Sequence, residues 1–158
     1  MGKIPLTNTE RKKNMINHDT IELLKQCNAG LKMGVCSIDE VLDKVSDEKF
    51  KQILIESKEE HQALGSETHK YLDKCGEEGK EPNIVAKGMS WMKINMVIAM
   101  EDSDKKIASV ITDGCDMGIK SLSRYLNQYE SASEEAQDLA KRIINLEERL
   151  RQHVQDYL

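Results

Sequence analysis

The residues most able to do chemistry are carboxylates, imidazoles and thiols at helical spacing. Glu59, Glu60 and His61 stand in a row, Asp116 lies in a later apolar pattern, and Glu147 and Glu148 lie near the end. Carboxylates and an imidazole brought together from neighbouring helices are the groups that hold iron or zinc inside a bundle. Glu60, His61, Asp116 and Glu148 therefore form one candidate metal set, with Glu60 flanking the apolar stripe of its helix. The plainer interpretation of Glu59, Glu147 and Glu148 is solvated charge off the stripes. A second set, Cys27, Cys115, His61 and His153, falls on the stripes themselves. Thiolate and imidazole ligation suits zinc or iron, whereas the packing alternative treats buried Cys as a small hydrophobe and core His as satisfied by a hydrogen bond. Met89, Met92, Met96 and Met100 with Trp91 have the atoms for copper(I), haem or a partner groove, but at helical spacing they read as adaptable core filler. His18, His69 and Cys36 read as surface or packing residues.

The elements that must position these groups are helices. Asp19, with Glu22 three residues on, predicts an N-cap, and residues 1–18 before it read as an arm with no sustained apolar period. Leu24, Cys27, Leu31, Gly34, Ile38, Val41 and Val45 then recur at spacings of three and four, one stripe of a first helix. After a break at Ser46-Asp47, the spacing resumes through Phe50, Leu54, Ser57, His61, Leu64, Thr68, Tyr71 and Cys75, until Gly76, Gly79 and Pro82 stop it. So short a link forces the two helices into an antiparallel hairpin. Ala108, Ile111, Cys115, Gly118, Leu122, Tyr125 and Tyr129 mark a third long helix capped near Asp102-Ser103-Asp104. Ser131-Ala132-Ser133-Glu134 predicts a turn and a capping box. Ala136, Leu139, Ile143, Leu146, Leu150, His153 and Tyr157 mark the fourth helix.

Cys27-Asn28-Ala29-Gly30-Leu31-Lys32 and Cys115-Asp116-Met117-Gly118-Ile119-Lys120 repeat one pattern at equivalent places in the first and third helices, which points to two related hairpins. Between them, the connection over 76–103 carries a helical pattern from Ile84 to Met100. About seventeen residues at 1.5 Å rise would return the chain along most of the bundle. The second and third long helices are then parallel.

Composition bounds the function classes. The 158 residues fit one domain, residues 19–158, that can bury a core without staples. A charge of -5 and 4% aromatic residues argue against nucleic acid, which needs clustered Lys/Arg and stacking platforms. The start of the chain lacks the apolar core of a signal peptide, no stretch spans a bilayer, and the four cysteines lack CxxC spacing; a cytoplasmic protein with reduced thiols is the expectation. No Gly-rich phosphate loop or nucleophile motif occurs.

The hairpin repeat, the long crossover and Glu59-Glu60-His61 resemble the ferritin-like superfamily, in particular small bacterial ferritin-like domains of unassigned function that are related in shape to rubrerythrins. The resemblance implies an all-α, ferritin-like four-helix bundle of two related hairpins with a long helical crossover. In its metal-loaded members each hairpin supplies a Glu and a Glu-x-x-His to two irons. Here Lys58 and Leu150 stand three residues before His61 and His153, and Asn28 and Asp116 occupy the places of the lone Glu residues. The expectation is a non-catalytic bundle with a degenerate metal site, acting as a homo-oligomer or on a protein partner. A metal-binding or metal-storing bundle, holding iron or zinc, and a di-iron oxidoreductase of rubrerythrin type are the alternatives.

Overall fold

In a computed structural model covering residues 2–76 and 103–158, the chain forms four long α-helices and a closing 3-10 turn. They are α1 (Asn8–Leu42), α2 (Glu48–Lys74), α3 (Ser103–Gln128) and α4 (Glu134–Val154), with the turn at Gln155–Tyr157. The helix expected over 84–100, with its Met and Trp stripe, lies outside the described residues. No helix among the described residues is long and apolar enough to cross a membrane.

Helix α1 starts eleven residues before the expected Asp19. Thr7 caps it, accepting from the Glu10 amide while the Glu10 carboxylate accepts from the Thr7 amide, a complete capping box. Asp19 instead braces a neighbouring turn. Its carboxylate accepts from the Ser131 amide between α3 and α4, and the Thr20 hydroxyl accepts from the Ser133 amide. At the opposite end, the carboxylate of Asp104 accepts from the Ser46 and Asp47 amides in the α1–α2 turn. Ser46 to Asp104 and Ser131 to Asp19 are thus the same bond in the two hairpins, displaced by the same number of positions. Asp47 and Ser133 then cap α2 and α4. The residue three beyond Ser133 is Ala136, so the expected capping box reduces to a single serine cap.

Two apolar clusters fix the helix directions. Ile38, Val41, Phe50, Leu54, Ile107, Ile111, Leu150 and Val154 pack at one end, with Tyr157 stacked on Phe50 at 4.5 Å between centroids. Leu23, Leu24, Leu31, Leu72, Leu122, Leu139 and Ile143 pack at the other. Within each hairpin the helices are antiparallel, and α2 and α3 both begin at the Phe50 end, so they run parallel. Bidentate Arg142 to Glu67, at 2.7 and 2.8 Å, and Arg149 to Glu60, at 2.7 Å, lace the antiparallel α2–α4 seam. Gly76, at φ +73°, ends α2 in the left-handed conformation that glycine adopts without strain.

The predicted stripes are buried or half-buried with two exceptions. Cys75 is exposed, and on α4 the last inward residue is Val154, not His153. Leu31→Ala should cost roughly 2 to 5 kcal/mol by leaving a cavity in the core, while Glu148→Ala on the exposed face should be near neutral. Equal urea midpoints for the two variants would contradict the assignment.

Candidate functional site

The polar centre of the bundle is a histidine and a carboxylate from helices that face each other. His61 on α2 is 1% exposed and Glu147 on α4 is 9% exposed. His61 Nδ1 lies 2.7 Å from the Ser57 carbonyl oxygen one turn back. A carbonyl only accepts, so Nδ1 carries a proton. Nε2 lies 2.6 Å from Glu147 Oε1. Whether the proton between them sits on nitrogen or oxygen, the pair as a whole is neutral, which is how a low-dielectric interior accommodates two titratable groups. Burial by itself pushes the imidazole down, but the hydrogen bond and charge of Glu147, the Ser57 carbonyl and the charge of Glu60 together hold its pKa above the usual 6.5.

Glycines make room for the pair. A Cβ on Gly34 of α1 would stand 2.5 Å from His61 Cδ2 and 2.7 Å from Nε2, so the ring occupies the space a side chain would fill. Glu147 likewise lies across Gly118 of α3, whose Cβ would meet its Cγ at 3.5 Å. Cys115 on α3 borders the same cavity as Glu147; burial first, then this carboxylate, pushes its thiol far up, so it stays protonated near neutral pH. Glu147, His61 and the Ser57 carbonyl thus form a continuous buried chain of hydrogen-bonded groups, with Cys115 beside it.

Of the first predicted set, His61 alone lies at this centre; of the second, His61 lies there with Cys115 beside it. Glu60 is exposed and paired with Arg149, Asp116 is exposed and paired with Arg151 at 2.6 Å, and Glu148 is exposed. Glu60 is therefore outside the stripe, drawn to the surface by its guanidinium partner. In the second set, Cys27 and Cys115 are both buried but in opposite apolar clusters, and His153 is exposed. Burial pushes the Cys27 thiol up to about 12, which suits a packing role. Among the described residues, no group of three or more His, Cys, Asp or Glu is placed to hold a metal ion. Lys58, in the Glu-x-x-His position before His61, forms an ion pair with Asp39. Asn28 is buried and borders an open groove between α1 and α2.

Glu147 is the residue that spacing alone misplaces. Expected in solvent, it turns inward, and a signal for it existed: Ile143, Glu147, Leu150 and Val154 are spaced as regularly as Ile143, Leu146 and Leu150. Facing glycines on α1 and α3 supply the space.

No protein-family model, curated protein or solved structure matches this chain. Its own geometry is what bears on its function.

The pair also sets a pH dependence with a definite sign. Because the folded-state pKa of His61 is raised, its contribution to stability is fully present below about pH 6.5 and is lost as pH rises through the raised value. Urea midpoints of the wild type should therefore fall over this window. In Glu147→Gln, which lacks the carboxylate that holds His61 up, they should be level or rise. The difference in slope approaches about 1.4 kcal/mol per pH unit while a full proton separates the states. Parallel profiles would show that the two groups are uncoupled.

Proposed function

We propose that this chain is a ferritin-like bundle in which a self-contained His61–Glu147 pair takes the place of a metal core, and that it acts in the cytoplasm through assembly or a protein partner and not by catalysis. The observation that carries this is the engagement of His61 Nε2, the nitrogen a metal would need, by Glu147 at 2.6 Å. A metal site also requires several deprotonated ligands converging on one point, and the described residues offer no such set. The parallel α2 and α3 and the matched turn bonds support the ferritin-like topology and a duplicated hairpin. The carboxylates that would balance two irons are on the surface, held by Arg149 and Arg151.

One observation favours a second reading, a metal-binding or metal-storing bundle. Metal-ligating histidines characteristically donate their other ring N–H to a carbonyl or carboxylate, and His61 does so to Ser57 beside Glu147 and Cys115. Protein made anaerobically with iron and zinc supplied separates the two. Under the first proposal it carries well under one metal per chain and gains no visible band in air. One zinc per chain, lost on Cys115→Ser or Cys27→Ser, would establish the metal-binding alternative. Two irons per chain, lost in His61→Ala, would establish a di-iron oxidoreductase of rubrerythrin type.

A further inference from the structure

Two adjoining cavities, of about 70 and 60 Å³, lie between α1 and α3. Both are bordered by Gly30, Met33, Met117, Gly118 and Glu147. Three facts distinguish this space from ordinary packing loss. Gly30 and Gly114, inside helices, have nothing within 4 Å of where a Cβ would project, so among the described residues no neighbour requires glycine there. Their backbone does not require it either, since Gly76 is the positive-φ glycine among the described residues. Each helix-interior glycine costs about 1 kcal/mol relative to alanine, and what the absent methyl groups leave is open volume. Second, the walls are apolar and include Met33 and Met117, side chains that adapt to varied shapes. Third, one carboxylate, Glu147, borders both cavities.

We infer that this space is a binding site for a small organic ammonium, an amine with a short alkyl body, whose charged head meets Glu147 and whose chain lies between Met33 and Met117. The size follows from comparison: an apolar cavity of about 150 Å³ accepts a benzene, and each of these holds less than half that, so the occupant is a short chain that spans both. The sign follows from the lining. No Lys or Arg among the described residues borders either cavity. His61 has no donor left for a ligand, because Ser57 and Glu147 engage both ring nitrogens. An anion would meet the Glu147 carboxylate with no cationic side chain among the lining residues to offset it. Glu147 has about four lone-pair sites as a carboxylate, and the bond to His61 leaves acceptor capacity for N–H groups. When the ammonium arrives, the proton shared by His61 Nε2 and Glu147 leaves to solvent and an ammonium N–H takes its place between the bare nitrogen and the carboxylate, so the buried set stays neutral. The titratable groups beside the ring are Glu147 from α4, Cys115 from α3 and Glu60 on its own helix, and Lys32 and Cys36 of α1 border the open groove that His61 also borders.

The test uses n-butylammonium, 1-butanol and butyrate as probes on the full chain, followed by NMR. Butylammonium should give saturable shifts at Ala29, Met33, Met117 and Tyr125, with affinity at least about tenfold above 1-butanol and no butyrate binding. Its affinity should rise between about pH 6 and 9, where a primary ammonium keeps its proton as lysine does. Gly30→Val, which fills the space without touching the pair, should abolish these shifts with the helical circular dichroism unchanged. Glu147→Gln should reduce butylammonium to the affinity of butanol. Equal affinity for the alcohol and the ammonium, shifts confined to surface carboxylates, or full binding by Gly30→Val would overturn the assignment.

Discussion

Glu147→Ala should lower the unfolding free energy by about 3 to 5 kcal/mol, far more than a typical single substitution. The loss comes chiefly from what is left behind. His61 remains 1% exposed with Nδ1 committed to Ser57. Without Glu147 its Nε2 is either a buried positive charge with no counter-ion or an unpartnered acceptor. Replacing both partners gives a different result. In His61→Leu/Glu147→Met, apolar side chains of similar volume occupy the same space and no polar atom is stranded, so most of the stability should return, to within about 1.5 kcal/mol of wild type. The double-mutant cycle from urea melts should therefore show coupling of about 2 kcal/mol or more. A double variant as unstable as the sum of the singles would show that the two residues do not act as a unit.

Gly34→Ala should be nearly as damaging, about 3 to 5 kcal/mol, although it adds one carbon. The new Cβ would lie 2.5 Å from His61 Cδ2. The ring cannot step aside cheaply, because both nitrogens are held by hydrogen bonds. Overpacking alone costs about 1 to 3 kcal/mol. Moving the ring off Glu147 adds part of the cost of a broken buried pair. Gly30→Ala, one turn away on the same helix, is the control. Nothing stands within 4 Å of its Cβ, and better helix propensity should leave it neutral or more stable by up to about 1 kcal/mol. Similar thermal midpoints for the two alanine variants would remove the steric argument.

Much of the framework was legible because it follows from periodicity. The Leu24 to Val45 and Phe50 to Thr68 stripes, the turn at Ser46-Asp47 and the parallel course of α2 and α3 all appear as expected. Legibility failed where an interaction does not depend on hydrophobic spacing. Thr7 and Glu10 begin α1 through a cap, with no apolar stripe behind it. Glu60 and Asp116 flank apolar positions, yet Arg149 and Arg151 draw them outward, since a charge is better satisfied by a guanidinium at the surface than by desolvation. Glu147 turned inward because His61 meets it there and Gly118 leaves room. One-dimensional spacing cannot say which of two adjacent helical positions, Leu146 or Glu147, faces a partner on another helix; here both are buried.

The bonds at the two ends of the bundle have a consequence for how the halves depend on each other. Asp104, from the second hairpin, satisfies turn amides of the first, and Asp19 and Thr20, from the first, satisfy turn amides of the second. Each hairpin therefore completes the other's bend, and neither has a finished turn in isolation. The exchange is reciprocal. Losing Asp104 or Asp19 would therefore leave turn amides of the opposite hairpin without their acceptor, so damage to one half of the bundle is carried into the other.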